Sequence, residues 1–584
     1  MFAAVRELNR KQDGNIIVED SEGNQLNSSE QKVEKITEYF ENIFKQEVTE
    51  PYPEIEPQAL RIPITEHEVK SATKKLKNNK SPGSDNVQAE LIKYGPRLVH
   101  SHIADILNEA ARTGIKPTEL SLGKLIPLPK PGKPKGPVKN LRPIILLSVL
   151  RKILAIIVVQ RTFQKIRNVI DISQAAYSPG RSTTELVFTF KILIEKAICA
   201  EDFKVHLLML DMSRAFDTID RGCLLQDLSK VLEPDELHLV SLLLRDVQLQ
   251  VYHDGVTGKA FTPDIGSPQG DCASPIWFIF YLHKALEAAK PYFEKPRDVN
   301  IDTNHDHPYH KNVEKDRKKT PKGQDSFCIG QQYADDASWA TTSLRVKDSI
   351  KSIAPAELKR RNLLANEEKT EEYTVTRNGS TEWKNCKLLG SLLGNKEDIS
   401  RRKQLASAAF SQNKKAICSK GISIHIRLRV FAALISSIFL YNCELWTLKS
   451  TDIKEIDVFH RSLLRQIVRT RFISNHRLYE LCDTEPWSIT IQRRRLSWFG
   501  HLIRLPDNAP AKQALAEARK RYKKLRGGQP LTWLRTIVRD FKSVGKTLSE
   551  TIQIAKNRDE YMELVHGVMS LVNSPSSPES YSEV

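Results

Sequence analysis

Two adjacent carboxylates, Asp335 and Asp336, interrupt an otherwise apolar stretch in the segment CIGQQYADDASWATT. Adjacent residues of a β-strand point to opposite faces, so both acids reach the same place only if the chain turns there. A charged side chain is also costly to bury unless a partner compensates it. The segment therefore predicts a tight β-hairpin with two acids at its tip. A nearby cation would account for them, and so would full solvation of the turn.

The positive charge of the chain is concentrated in its last third. Residues 401–584 contain 32 Lys and Arg against 16 Asp and Glu, and residues 401–440 contain eight basic residues and no acidic one. The first 400 residues carry only about +2 of the net charge of +18. A large field of one sign favours a polyanionic partner, most simply nucleic acid, over a solubilising surface, which usually mixes charges.

Length and pattern limit the organisation of the chain. A length of 584 residues suggests about three or four structural units. No apolar run reaches the roughly 18–20 residues of a membrane span, so we expect no membrane partner. The eight cysteines include no CxxC pair, which argues against a Cys-based zinc site. The pattern predicts a capped helix over residues 28–46, a polar loop over 290–326 and mostly helices after residue 400.

A third acid ends another apolar run, in HLLMLDMSRAFDTIDR. Residues 207–210 predict a buried strand, Asp211 follows it, and the chain looks helical from Ser213. An acid at the end of a buried strand is held on rigid backbone, which suits a functional site. Asp217 and Asp220 could be further ligands, but helix capping and solvation explain them more simply.

Three acids on two segments beside a basic surface suggest metal-assisted chemistry on nucleic acid. Mg²⁺ prefers carboxylate oxygens and usually takes one or two of them together with substrate phosphates. Two such ions about 4 Å apart hold the attacking and leaving oxygens of a phosphoryl transfer. Carboxylates alone leave polymerisation and nuclease cleavage equally open.

Further motifs separate these two reactions. They are, in chain order, NNKSPGSDNVQAELIKYG (78–95), LIPLPKPGKPKGPVKNLRPIILLSVLRKIL (125–154), SQAAYSPGRSTTE (173–185), LDMSRAFD (210–217), GSPQGDCASPIWFIFYL (266–282), YADD (333–336), ANEEKTEEYTV (365–375) and KLLGSLLG (387–394). Over roughly residues 65–400 the chain thereby resembles the reverse transcriptases of non-LTR (LINE-type) retrotransposons. Each motif is a modest signal, but eight in the family's order are specific.

The resemblance implies an α+β right-hand polymerase, with fingers, a palm built on an antiparallel sheet and a helical thumb. It implies an RNA-directed DNA polymerase that uses two Mg²⁺ ions, or Mn²⁺ in their place, with deoxynucleotides, an RNA template and a DNA primer as partners. We divide the chain accordingly into an N-terminal helical extension and linker (1–60), fingers and palm (61–400), a thumb-like and connecting region (401–505), a basic helical region (506–572) and a disordered tail (573–584).

The resemblance also implies roles for single residues. The predicted metal ligands are Asp211, Asp335, Asp336 and the backbone carbonyl of Met212. Phe216 corresponds to the bulky residue that excludes a ribose 2′-OH, although a core phenylalanine would explain it equally well. Lys369 corresponds to the proposed proton donor for the pyrophosphate leaving group, with a solvated lysine as the alternative. The residues that correspond to contacts with the nucleotide and template base are Lys130, Arg142, Gln269 and Gly270.

Three other signals carry less weight. His305, His307 and His310 lie in a polar loop, where solvated histidines are more common than metal ligands. RKRYKKLR (519–526) could be a nuclear localisation signal or a nucleic-acid patch, and is interpreted as a solvated helix face that contributes to nonspecific binding. Trp487, Trp498 and Phe499 interleave with Arg493, Arg494 and Arg495, which suits base stacking and suits a helix core at least as well.

The chain departs from complete elements of the family, which also carry an endonuclease. About 60 residues precede the predicted fingers, and the usual zinc-binding motif of the other endonuclease type is absent, so we interpret the chain as a truncated copy. Two alternatives to a reverse transcriptase remain. One is a catalytically inactive nucleic-acid-binding relic or domesticated protein with a polymerase fold. The other is a group II intron-type maturase, which shares YADD.

Overall fold

The computed structural model describes residues 16–45, 50–290, 327–470, 472–520, 530–542 and 544–573. The described strands are β1 (Leu122–Pro129), β2 (Leu141–Leu146), β3 (Val205–Leu210), β4 (Met212–Ser213), β5 (Gln248–His253), β6 (Val256–Phe261), β7 (Cys328–Tyr333), β8 (Asp336–Thr341), β9 (Leu364–Ala365), β10 (Glu371–Val375), β11 (Lys387–Leu388) and β12 (Ser391–Leu392).

Helices surround these strands. They are α1 (Ser29–Phe44), α2 (Glu66–Lys75), α3 (Ala89–Lys93), α4 (Arg97–Thr113), α5 (Thr118–Ser121), α6 (Val149–Val169), α7 (Thr183–Cys199), α8 (Arg221–Leu228), α9 (Pro234–Leu244), α10 (Ser274–Ala289), α11 (Leu344–Lys359), α12 (Asn395–Ile417), α13 (Ile424–Phe431), α14 (Ser437–Phe439), α15 (Ser450–Val468), α16 (Asn475–Leu481), α17 (Trp487–Arg504), α18 (Pro510–Arg519), α19 (Trp533–Lys542), α20 (Leu548–Ile554) and α21 (Arg558–Asn573). Within the described ranges, none of these helices is long and apolar enough to cross a membrane.

Two four-stranded sheets form the framework. The palm sheet has the order β10-β3-β8-β7 and is antiparallel throughout, while the fingers sheet has the order β2-β1-β5-β6 with a parallel pairing of β1 and β5. The mixed α+β fold with an antiparallel palm sheet, predicted from the sequence, is confirmed.

The central palm strand β3 is buried on both faces, as its continuous apolar run requires. Leu208 and Leu210 contribute to a core shared with helices α6, α10 and α11. Leu207 and Met209 point the other way, into a core shared with α7 and the helices at the end of the chain. Because β3 is covered on both faces, the chain becomes accessible only past its end, at Asp211, whereas the edge strand β10 keeps Glu372 and Thr374 exposed.

The predicted N-terminal helix is confirmed as α1. Ser28 caps it by accepting a hydrogen bond from the backbone N–H of Gln31 at 3.4 Å. Its apolar face, which includes Val33, Ile36 and Phe40, is buried in one core with the fingers sheet. The helix is therefore part of the fingers layer, and the boundary placed at residue 60 stays a prediction.

The last helices pack back onto the palm. Lys196 on α7 forms a buried ion pair with Glu517 on α18 at 2.7 Å. The indole N–H of Trp533 on α19 donates to the carbonyl of Glu444 at 2.8 Å, and the hydroxyl of Tyr561 on α21 donates to the carbonyl of Leu496 at 2.6 Å. The region after residue 505 thus completes a core that begins in the palm.

The segment IRLRVFAALISSIFLYNCELW, predicted as one apolar helix, is helical only as far as Phe439. A π-helical turn over Ala432–Ser436 joins α13 to α14 without a break, and the helix ends before Leu440. The other boundaries drawn from the sequence also stay predictions; residue 400 lies within α12, and residue 505 directly follows α17.

Candidate active site

The predicted hairpin at Asp335-Asp336 is present. Tyr333 and Asp336 form the last pair of the β7–β8 ladder, and Ala334 and Asp335 make the two-residue turn between them. Ala334 has φ +54°, a left-handed conformation that a non-glycine residue rarely adopts. The two neighbouring acids therefore lie at the end of the palm sheet and not in the middle of a buried strand.

Asp211 reaches the same end of the sheet from the neighbouring strand. Leu210 pairs with Ala337 at the end of the β3–β8 ladder, so the next position sets Asp211 across from Asp336. Directly opposed residues of antiparallel strands have Cβ atoms only about 5 Å apart. The three predicted acids are therefore brought together by strand register.

Burial and mutual repulsion raise the pKa values of the two acids in the hairpin. Burial, with the nearby charges of Asp335 and Asp211, raises the pKa of Asp336 to about 6. Burial also raises the pKa of Asp335, and the charge of Asp211 adds to that effect. Lys369 opposes both shifts. A positive charge beside these carboxylates would favour their ionised forms.

Lys369 already supplies one such charge. Its Nζ lies 2.6 Å from Oδ2 of Asp211, and 59% of its side chain remains exposed. The backbone N–H of Asn366 donates to the carbonyl of Asp211 at 2.8 Å, which ties the short helical turn Glu367–Lys369 to the end of β3. The lysine singled out by the sequence is therefore a neighbour of the acids and is also solvated.

The helix predicted from Ser213 is absent, so that prediction is wrong: Ser213 is extended and a turn follows it. Met212 and Ser213 form β4 and pair with Ala365 and Leu364 of β9. A turn follows, with Arg214 at φ +53°. Pairing with β9, about 150 residues later in the chain, overrides the local helical pattern, and it also holds Met212 beside the acids.

Phe216 lies in this turn with one side against the palm core. Its ring centroid is 4.5 Å from that of Phe278 on α10, and the rest of the side chain is half-buried. The structure therefore gives Phe216 a packing role, and the partial exposure of its ring leaves the steric role as a prediction.

The side chain of Gln269 is hydrogen-bonded to Asp217, the residue after Phe216. Its Nε2 donates to Oδ1 of Asp217 at 2.8 Å, and its carbonyl accepts from the N–H of Ile145 in β2. Gly270 has φ +129°, and a Cβ there would lie 2.4 Å from the carbonyl oxygen of Ile145. The glycine thus permits the close approach that joins this loop to the fingers sheet.

Asp217 was missed as a site residue by the sequence analysis. Its solvation was expected, but the side chain is buried, and burial raises its pKa to about 6. The adjacent Phe216 was a signal that this turn faces the site. Asp220, in contrast, accepts a hydrogen bond from the N–H of Cys223 as the N-cap of α8, so the capping interpretation is confirmed.

The two predicted cations, Lys130 and Arg142, belong to the fingers sheet or its connection. Lys130 follows β1, and its Nζ donates to the carbonyl of Lys139 at 2.8 Å. Burial lowers its pKa, and the positive charge of Arg214 adds to this effect. Arg142 on β2 is exposed and pairs with Leu128 across the ladder. Arg142 lies on β2, the strand whose Ile145 bonds the Gln269 loop, and Lys130 lies just past the end of the neighbouring strand β1.

The remaining candidate signals fall outside the site. His305, His307 and His310 lie outside the described residues, as does most of RKRYKKLR. Trp487, Trp498 and Phe499 are buried, which confirms the core interpretation. The neighbouring arginines bond within the protein, namely Arg493 to Glu485, Arg494 to the carbonyl of Leu440 and Arg495 to Asp540.

Comparison with known proteins identifies the central part of the chain. Residues 128–393 match the family described as Reverse transcriptase (RNA-dependent DNA polymerase). A probable RNA-directed DNA polymerase from transposon BS of Drosophila melanogaster is 27% identical over 218 residues, covering 37% of this chain and 24% of that protein. The RNA-directed DNA polymerase from mobile element jockey of Drosophila funebris is 26% identical over 226 residues, covering 38% and 24%.

Among solved structures, apo telomerase from Candida tropicalis superimposes with a TM-score of 0.36 and 15% sequence identity, covering 76% of this chain and 69% of that one. The matches to the two curated relatives span about a quarter of their length. All ten residues assigned to the site from the sequence lie within residues 128–393.

Proposed function

We propose that this chain, whose residues 128–393 match the reverse transcriptase family, is a reverse transcriptase of the non-LTR retrotransposon type that extends a DNA primer along an RNA template. The proposal rests on one observation: strand register brings Asp211, Asp335 and Asp336 to the same end of the palm sheet. The acids are presented at strand ends beside a half-buried aromatic ring and fingers cations, an arrangement suited to a nucleoside triphosphate.

The donor set fits divalent cations with substrate present. Within the described ranges, no three Asp, Glu, His or Cys side chains are close enough to hold an ion by themselves. Mg²⁺ needs only one or two protein carboxylates when substrate phosphates complete its shell. Asp211, Asp335, Asp336 and the carbonyl oxygen of Met212 would hold two ions, and Mn²⁺ has the same oxygen preference. When bound, such ions lower the pKa of the attacking hydroxyl and stabilise charge on the leaving oxygen.

The residues around the acids supply the remaining functions. Arg142 offers a planar fork for phosphate oxygens, and Lys130 offers a compact charge. Phe216 would occupy the space that a ribose 2′-OH needs. Gln269, oriented by Asp217, would contact the template base or the nucleotide, with Gly270 allowing close backbone approach. Lys369 is close enough to the acids to deliver a proton to the pyrophosphate as it leaves.

Primer extension tests the proposal. The purified chain is incubated with poly(rA)/oligo(dT), dTTP and Mg²⁺, and compared with Asp211→Ala, Asp335→Ala and the double variant. We expect extension by the wild type only, since the loss of one carboxylate disrupts metal placement.

Asp220→Asn is the matched control, because it neutralises an acid three residues after the LDMSRAFD motif while asparagine still caps α8. It should remain active. Wild-type activity no greater than that of the double variant would contradict the polymerase and favour a noncatalytic nucleic-acid-binding protein.

A further inference from the structure

We infer that Gln174 fixes the conformation of the YADD turn and is a positioning residue for Asp335. This inference rests on the function proposed above and adds a residue to it. Gln174 belongs to the motif SQAAYSPGRSTTE, lies 160 residues before Ala334 in the chain, and is fully buried.

The side chain of Gln174 bonds both peptide groups that flank the Cα atom of Ala334. Its Oε1 accepts from the N–H of Ala334 at 3.2 Å, and its Nε2 donates to the carbonyl of Ala334 at 3.4 Å. The relative rotation of these two peptide groups is what φ and ψ of Ala334 describe. An amide, which offers one acceptor and one donor, matches this pair of groups.

The backbone around Gln174 holds the amide in place. The N–H of Ala175 donates to the carbonyl of Gln332 at 3.0 Å, and the N–H of Gln332 donates to the carbonyl of Ser173 at 2.9 Å. Oε1 of Gln174 also accepts from the N–H of Ala176 at 3.0 Å. The segment thus adds a bridge to the edge of β7, and its side chain extends that bridge to the turn.

The turn needs such support because Ala334 is left-handed, with φ +54°. An alanine in this conformation is strained where a glycine is not. Asp335 directly follows, so relaxation of Ala334 would swing its carboxylate away from Asp211 and Asp336. Gln174 therefore acts on catalysis through the backbone and not through contact with substrate.

The double variant Gln174→Met/Ala334→Gly isolates this role. Methionine keeps the length of the side chain and removes both hydrogen bonds to Ala334. We expect Gln174→Met to lower kcat for primer extension by about tenfold or more, with KM for dTTP changed less than about threefold, because misplacement by about 1 Å is costly. Glycine adopts this φ without strain. Gln174→Met should therefore lower kcat by a clearly smaller factor in an Ala334→Gly background than in the wild type.

Gln331→Met is the matched control. Gln331 is also a buried glutamine beside the hairpin, and its Nε2 donates to the carbonyl of Leu186 at 2.8 Å. Its loss should change stability without lowering kcat at matched folded fraction, and Ala334→Gly should not alter its effect. Equal losses of kcat in the two methionine variants, or no relief by Ala334→Gly, would overturn the inference.

Hydrogen–deuterium exchange gives a readout that is independent of activity. The N–H of Ala334 should exchange at least about tenfold faster in Gln174→Met than in wild type or Gln331→Met. Unchanged exchange at Ala334 in Gln174→Met would overturn the inference even if the wild type is active. If the wild type is inactive but Gln174→Met exchanges faster at Ala334, the result counts against the proposed function alone. If Gln174→Met does not fold, Gln174→Asn serves instead, because its neutral amide is one methylene shorter and does not reach both groups of Ala334. It should show reduced kcat with faster exchange at Ala334, and unchanged kcat and exchange would overturn the inference.

Discussion

The ammonium of Lys369 lies 2.6 Å from Oδ2 of Asp211, so the acid at the end of β3 has a cationic partner in the protein itself. The same segment is fixed to β3 by the bond from Asn366 to the carbonyl of Asp211. Lys369 thus has two separable properties, a positive charge that offsets clustered carboxylates and a proton that it can release.

Lys369→Met and Lys369→Arg distinguish these properties. Arginine keeps the charge but does not lose a proton at working pH. If Lys369 is the proton donor, both variants should lower kcat of primer extension by about a hundredfold, a typical contribution of general acid catalysis. Single-turnover rates on the poly(rA)/oligo(dT) substrate are the measurement. Full activity in Lys369→Arg would show that charge alone matters.

Phe216→Val tests sugar selection. The ring packs on Phe278 with one side and is half-buried, so a smaller side chain opens space next to the site. We expect the ratio of ribonucleotide to deoxynucleotide incorporation to rise about ten- to hundredfold, the range for a small steric contact. Phe280→Val, which opens a cavity in the same core, is the control. A similar ratio in both variants would make Phe216 a packing residue only.

The parts of this fold that were predictable from sequence are those decided by local pattern. An unbroken apolar run specified β3, and two apolar runs around Asp335-Asp336 specified the hairpin. Ser28 specified the start of α1. In each case the deciding residues lie within a few positions of one another, so periodicity and capping are sufficient.

The parts that were missed depend on distant partners. Ser213 does not start a helix because it pairs with Leu364, and Asp217 is buried with a hydrogen bond from Gln269. The last helices join the palm through contacts such as Phe188 with Trp533, whose ring centroids are 5.0 Å apart. Such pairings leave no trace in local periodicity, and propensity alone predicts the wrong conformation for the chain after Asp211.

The contacts of Glu195 on α7 predict that the attachment of the last helices depends on pH. Its carboxylate accepts from the hydroxyl of Thr447 at 2.5 Å and from the N–H of Trp533 at 2.8 Å, beside a cavity of about 230 Å³. Burial raises its pKa to about 7, and the charge of Lys191 opposes this only in part. The charged groups that line the same cavity are Lys191, Lys396, Lys449 and Asp452.

The raised pKa of Glu195 determines whether stability rises or falls with pH. The unfolded chain releases this proton near pH 4.5 and the folded chain near pH 7, so the stability that Glu195 contributes falls as pH rises through that window. Glu195→Gln should therefore gain stability relative to wild type between pH 5 and pH 8, by at most about 3 kcal/mol. Denaturant unfolding at several pH values measures this. Glu563→Gln, at an exposed position on α21, is the control, and parallel curves for wild type and Glu195→Gln would contradict the prediction.

The basic last third of the chain can be tested without truncation. Removing everything after about residue 396 would expose the palm core that α17–α21 cover, so a shortened chain would confound binding with folding. Exposed cations around the end of α12 offer a cleaner change. Lys414, Lys415 and Lys420 are all exposed and lie within the predicted thumb.

Replacing these three lysines by glutamine should weaken binding to an RNA–DNA heteroduplex and flatten its salt dependence. Each phosphate contact contributes about 0.9 to the log–log salt slope on duplex DNA, so the slope should fall by up to about 2–3 if all three lysines contact phosphate. The control replaces Lys351, Lys359 and Arg360 by glutamine, which removes the same charge from exposed positions in and just after α11. Binding measured across a salt series compares the two triple variants with wild type. Because long-range attraction depends on net charge, equal slopes in both variants would mean that the thumb lysines act only through the overall field and contact no phosphate.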